Sequence, residues 1–409
     1  MRRTLGLPIA LVAAIVVAEG AVLLFRPRDL GPAPVPVEAR AYFSPAQLDR
    51  AEDFRSGQLW LYGARLLIEG GVLVLLVRRA PARLLQAGRR RPVLAGAGAA
   101  AAISVVLGLA PLPVSAIARE RAKDVGLVTQ DWIGWVGDIA KSQAIGAVIA
   151  GVGGALLIVG MRRLGRQWWV GGAVVVVMFG IATTYLSPIV LDPLFNTFTP
   201  LKEGRTRSDV LELAKRAGVD VGQVYEIDAS RRTSGANAYV AGLGHTKRVV
   251  LYDNLLRDFT PAEVRLVVAH ELGHVRHRDV PHGLLYLAIV APFGMFAVAR
   301  LGERLAGRDA LGTPAALPGV VLAVALVAPT ITVISNQLSR AVERRADAYA
   351  LELTNEPRTQ IAFQRRIVIK NVSDPDPPAW VSFLLGTHPP AIERIGQAEA
   401  AARASPRDG

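Results

Sequence analysis

The sequence contains no cysteine. That excludes disulfides, thiolate metal ligands and a cysteine nucleophile. Acidic residues are in the minority: 34 Asp and Glu against 47 Lys and Arg leave a net charge of +13. The basic residues gather at the ends of apolar runs, and no nucleic-acid recognition motif accompanies them. The charge is therefore read as loops facing the cytoplasm and anionic lipid, and nucleic acid is not an expected partner. No repeat of fixed period is present.

What the chain has in quantity is apolar sequence. It is 51% hydrophobic, with a mean hydropathy of +0.33, too apolar for a soluble protein of this length. Runs near the length that crosses a bilayer occupy 5–25, 58–77, 93–117, 143–161, 168–190, 283–302 and 316–335. The first follows Arg2 and Arg3. It contains Glu19 and lacks a clear small-residue cleavage site, so it is read as a retained span rather than a signal peptide. Arg65 and Glu69 lie four apart in the second run and can pair on one helix face. That pair can face the bundle or line a water-filled cavity. Trp168 and Trp169 suit a membrane interface. Residues 27–57 and the stretch from the third run to about 142 read as loops.

The fold class expected is mainly α: a polytopic membrane helix bundle of about seven spans with an inserted α+β domain, which the H-E-x-x-H motif at 270–274 marks as a zincin-like metalloprotease domain. Residues 1–190 form a five-span bundle, 191–282 the first part of the inserted domain, 283–335 spans six and seven, and 336–409 its second part with a frayed end. Within 191–282, 207–218 has helical periodicity, and 223–229, 236–241 and 247–252 are short and β-prone. Thr260, Pro261 and Glu263 form a capping box that opens a further helix.

That helix carries His270-Glu271-Leu272-Gly273-His274, an H-E-x-x-H motif. Positions i and i+4 share a helix face, so His270 and His274 can present two imidazoles to one zinc ion. Glu271 is placed to act as general base toward water at the metal. A catalytic zinc needs a third protein ligand and an open position. Downstream, Glu343 and Asp347 are again i and i+4 on a helix. Glu343 can complete a His, His, Glu site with one zinc per chain. Asp347 can bond the free nitrogen of a ligand histidine and fix its tautomer, with Arg340 beside it in the supporting layer. His277 leans toward the ligand face and is read as a supporting or solvent-facing group. His245 and His282 are read as loop or interface residues.

The combination of HELGH, the stretch 339–347 (SRAVERRAD) and the apolar spans resembles the type I CAAX prenyl protease family of integral-membrane zinc endopeptidases. The stretches 193–201, 236–242 and 386–390, with Glu393-Arg394-Ile395, are similar to further family motifs. The resemblance implies zinc on His270, His274 and Glu343, with Glu271 as base. It implies that Asn237 and Ala238 lie on an edge strand holding an extended substrate, which fits strand addition to an unpaired edge. His388 is then the donor to the developing oxyanion, and Arg394 supports the same region. The expected partners are a peptide or membrane-protein substrate and the lipid bilayer, and the expected location is the cell membrane.

Two alternatives stand beside this reading. One is an HtpX-type membrane-protein quality-control protease. The other is a seven-span transporter or receptor with an accidental HELGH. Sidedness is read in two ways. The Arg-dense loops 78–92 and 161–167 place the catalytic part outside the cytoplasm, whereas the family resemblance places it on the cytosolic side.

Overall fold

The computed structural model describes residues 6–79, 90–242 and 247–404. Arg2, Arg3, His245 and most of the loop 78–92 fall outside the described residues. The apolar runs become helices because a chain in hydrocarbon must satisfy its own backbone polar groups. In order these are α1 (Gly6–Phe25), α2 (Pro45–Arg78), α3 (Pro92–Leu109), the shorter α4 (Leu112–Asp124), α5 (Trp132–Leu164) and α6 (Trp168–Leu186).

Six helical stretches are long and apolar enough to cross a membrane. One of them, Trp132–Phe195, is 64 residues long and would extend about 96 Å as a straight helix. It holds both α5 and α6, separated by Gly165 with φ 54°. Counted separately, these two bring the apolar helices to the seven expected.

Two loop expectations are corrected. Residues 27–57 are not all loop: α2 starts at Pro45, behind a Ser44–Gln47 capping box. Its first turns are polar, so an apolar pattern does not reveal them. The third run breaks near Pro111, and the stretch up to 142 contains α4 and the first turns of α5, capped by Asp131. In α2, Arg65 and Glu69 do pair, at 2.7 Å.

After α6 the chain builds a small sheet from β1 (Phe198–Pro200), β2 (Gln223–Ile227), β3 (Ala238–Ala241) and β4 (Arg248–Tyr252), with α7 (Arg205–Arg216) between β1 and β2. The strand order is β1-β2-β4-β3. β2 and β4 are parallel, and the two outer strands are antiparallel to their neighbours. β3 is thus an edge, paired through Ala238↔Leu251 to Ala241↔Arg248. Next come α8 (Asp253–Asp258), α9 (Pro261–Arg276), α10 (Asp279–Ala306), α11 (Leu317–Thr354), α12 (Pro357–Lys370), α13 (Ala379–Leu385) and α14 (Ala391–Ala404).

The sheet packs on α9 through Val249 and Leu251 of β4 and Val264, Val268 and Leu272 of α9, all at most 3% exposed. The helical spacing 264, 268, 272 gives α9 one apolar face. Truncating Leu272 to Ala would cost about 2–5 kcal/mol. The last helix is not frayed through the described residues: it runs to Ala404, and Ile395 and Ala398 are fully buried. It is pinned by the N-terminal chain, where Val35 N donates to Gly396 O at 3.1 Å. A Cβ on Gly396 would stand 2.2 Å from Val35 O, so this crossing requires glycine.

Candidate active site

α9 opens as its sequence dictates. Thr260 Oγ1 accepts from Glu263 N, and the Glu263 carboxylate accepts from Thr260 N at 2.8 Å. With this end fixed, the helix turns Val264, Val268 and Leu272 into the sheet and His270 and His274 toward α11. The remaining residue of the motif, Gly273, has a packing role. A Cβ there would lie 3.1 Å from Tyr349 and 3.4 Å from Ala346 Cα, so its lack of a side chain lets α9 and α11 approach closely.

The approach brings Glu343 to the imidazoles. Its Oε2 lies 3.2 Å from His270 Nε2, and its Oε1 lies 3.6 Å from His274 Nε2. The two Nε2 atoms are 3.2 Å apart, with the rings edge to face at 85°. The ligand atoms of His270, Glu271 and His274 all fall within 4.8 Å of one another. Behind the rings, His270 Nδ1 meets Asp347 Oδ1 at 2.9 Å, and His274 Nδ1 meets Asp279 Oδ2 at 2.9 Å.

These contacts test whether a metal fits. Asp347 and Asp279 are acceptors, so each Nδ1 carries a proton and each Nε2 is the ring atom left to bind a cation. Two bare lone pairs facing each other at 3.2 Å beside a carboxylate repel unless a cation joins them. Glu343 Oε2 is also buried without a hydrogen-bond partner among the described residues. Two imidazoles and one carboxylate are the donor chemistry of a catalytic zinc with an open position, so the residues fit the ion. The field is strongly attractive to cations. Burial lowers the pKa of His270, but the carboxylates of Asp347 and Glu343 outweigh it and carry the group up to about 10, so that without an ion a proton takes the metal's place on Nε2. Glu271 also moves up: burial raises its carboxyl above the usual range, against the pull of His270 and His274.

The structure brings Arg394, His388 and Asn237 to the same cleft, with contacts the sequence did not specify, while the Ala238 side chain packs into the sheet core at 3% exposed. Arg394 lines the cleft, yet it donates Nε and Nη2 to Asp347 at 2.7 and 2.6 Å, behind His270. Arg340 donates from Nη1 to the carbonyls of Ser382 and Gly386 at 3.0 and 2.7 Å. It thereby holds α13 and the loop that bears His388. His388 Nε2 stands 3.2 Å from Glu343 Oε2, and its side chain is 58% exposed at the cleft. Asn237 and Ala236, at the entry to β3, line one wall of a cleft of about 340 Å³ that also contains His270, Glu271 and His388. Asn237 Oδ1 accepts from Ala238 N, and its carbonyl accepts from Tyr252 N. His277 turns away from the ligands, bonding Gly273 O and packing edge-on against Tyr349. His282 is exposed beside Phe25.

Sequence reasoning missed Asp279 and Arg345. Asp279 is the first residue of α10 and follows Arg278, whose φ is 57°. That left-handed residue folds α10 back on α9 and puts Asp279 under His274, and Arg345 Nη2 donates to the far oxygen of Asp279. The available signal was a carboxylate five residues after the second histidine, but spacing alone does not foretell a left-handed arginine.

Comparison with known proteins agrees with this architecture. Residues 200–402 match the model of peptidase family M48, and residues 33–197 match that of the CAAX prenyl protease N-terminal region with five membrane helices. The chain is 31% identical over 307 residues to the uncharacterized metalloprotease YhfN of Bacillus subtilis, covering 73% of this chain and 71% of that one. It is 32% identical to a CAAX prenyl protease 1 homolog of Oryza sativa and 28% identical to CAAX prenyl protease 1 of Saccharomyces cerevisiae. It spans 54% and 62% of those two relatives. The crystal structure of S. mikatae Ste24p shares the fold, with a TM-score of 0.70 over 98% of this chain and 99% of that one at 20% identity. The chain belongs to peptidase family M48, as a multi-pass membrane metalloprotease of the CAAX prenyl protease type.

Proposed function

We propose that the protein is a zinc endopeptidase that cuts peptides drawn from, or lying beside, the membrane. The ion is held by His270, His274 and Glu343. The observation that carries the reading is the pair of Nε2 atoms converging on Glu343, with the Nδ1 of each ring backed by a carboxylate. When bound, zinc supplies a Lewis acid that activates water for attack on the scissile carbonyl.

The remaining work belongs to side chains and backbone. Asn237, Ala238 and the free edge of β3 hold the peptide extended by main-chain hydrogen bonds. Glu271, with its basicity raised by burial, takes the proton from the attacking water and delivers it to the leaving amine. His388, at the cleft mouth 3.2 Å from Glu343, donates to the oxygen of the carbonyl as negative charge develops there. Asp347 and Asp279 keep the proton on the Nδ1 atoms, so that each Nε2 stays free for the metal.

The test is a panel of peptides, with and without a farnesyl-cysteine end, offered to the purified zinc-loaded protein and to Glu271→Gln. Cleavage by the first and none by the second is expected. Normal cleavage by Glu271→Gln would overturn the assignment. The panel also decides whether the prenyl group, named in relatives, is required here.

A further inference from the structure

We infer that the active cleft forks at His388 and that its second arm is a subsite for an uncharged polar side chain of the substrate. The inference rests on the peptidase reading above. The arm is a cavity of about 460 Å³ between α12, α13 and the start of α14. It shares Ile367, Asn371, His388 and Arg394 with the cleft that holds Glu271, so a peptide at the catalytic site can reach it.

Its wall carries polar groups that the protein leaves unanswered. Gln364 Nε2, Asn371 Oδ1 and Ser382 Oγ are buried and have no hydrogen-bond partner among the described residues. All three residues line this one cavity, and Gln364 is only 1% exposed. A buried polar group without a partner is costly, and such groups are rare in native structures. Three around one space indicate that the partner arrives with a ligand. Two carboxamides and a hydroxyl both donate and accept in any amide orientation. That matches a carboxamide or hydroxyl side chain. The wall holds one charge of each sign, so neither an anion nor a cation is favoured outright: Asp374 opposes an anion, and Arg394, already paired with Asp347, opposes a cation.

The wall is also held in place. Val372 adopts φ 45°, a left-handed conformation that a β-branched residue rarely takes. Arg55 of α2 stabilises this turn from outside by donating to the carbonyls of Asn371 and Val372 and to Ser373 Oγ, at 3.1, 2.9 and 3.0 Å. The turn sets Asn371 against Gly235, ahead of β3, where a Cβ would come within 3.3 Å of Asn371 Oδ1. A membrane helix thus fixes the polar wall of the subsite relative to the strand that aligns the substrate.

The experiment is cleavage-site profiling of a peptide library by the purified zinc-loaded protein, Gln364→Met and Ser382→Ala. The wild type is expected to favour Asn, Gln, Ser or Thr at one position near the scissile bond. Each variant should cut the kcat/KM ratio of Gln over Leu at that position by roughly tenfold, the loss of one buried hydrogen bond, and leave preferences elsewhere intact. If Gln364→Met does not fold, Ser382→Ala makes the same comparison alone. Cleavage with no polar preference at any position, or variant profiles that match the wild type, overturns the subsite and leaves the peptidase reading standing. No cleavage of any peptide by the wild type overturns both.

Discussion

Asp279 and His274 meet at 2.9 Å although they sit on successive helices. The left-handed Arg278 between those helices makes the contact possible. The pair mirrors Asp347 and His270 across the proposed metal site. Each imidazole is therefore oriented by its own carboxylate, and each carboxylate by its own arginine, Arg345 for Asp279 and Arg394 for Asp347.

That symmetry predicts equal sensitivity. Asp279→Asn and Asp347→Asn should each weaken zinc binding by about 10–100-fold, the usual effect of losing such a partner. Titration of the purified protein against a competing chelator measures it. Unchanged affinity in Asp279→Asn would remove that residue from the metal site.

The two arginines near the cleft should separate. Arg394→Ala strips Asp347 of both its guanidinium contacts and should reduce zinc affinity. Arg340→Ala frees the His388 loop and should leave zinc content near one per chain while kcat falls roughly tenfold or more, as one oriented donor is lost. Zinc content and kcat measured on both proteins check this. A swapped pattern would reverse the two roles.

Glu271→Gln should retain zinc and lose turnover by about 10²–10⁴-fold, the usual contribution of a general base. Metal analysis of the inactive protein distinguishes this from simple loss of the ion.

Zinc removal should also lower stability. A ligand present at a thousand times its dissociation constant adds about 4 kcal/mol to the folded state. Chelation should lower the midpoint of thermal unfolding, and zinc but not magnesium should restore it, because the donors are two imidazoles and one carboxylate.

Thr260→Ala tests the base of the motif helix. Losing the cap should cost about 1 kcal/mol, and more if Glu263, 1% exposed, loses its partners. Thermal unfolding at fixed zinc reads the change.

Much of this was legible in the sequence because it depends on local periodicity. The i, i+4 spacing of His270 with His274 and of Glu343 with Asp347, the Thr260 cap and the β-prone segments all follow from the geometry of single elements. The polar first turns of α2 escaped notice because an apolar pattern does not register them. Asp279 escaped because its place depends on one backbone angle at Arg278. The partners of Arg394 and Arg340 depend on how α11 packs against α13 and α14. No spacing within one helix encodes that. For Arg394 and Arg340, sequence identified the residue and not its partner.

α11 runs for 38 residues from Leu317 to Thr354, and its first half is an apolar span while its second half carries Glu343 and Asp347. α10 likewise begins at Asp279 and continues into the bilayer. A metal ion held by His270, His274 and Glu343 would therefore work as a gauge of how far apart two membrane helices stand. Thinning the bilayer, or a detergent that lets α10 and α11 splay, will register as escaping zinc well before any helix melts.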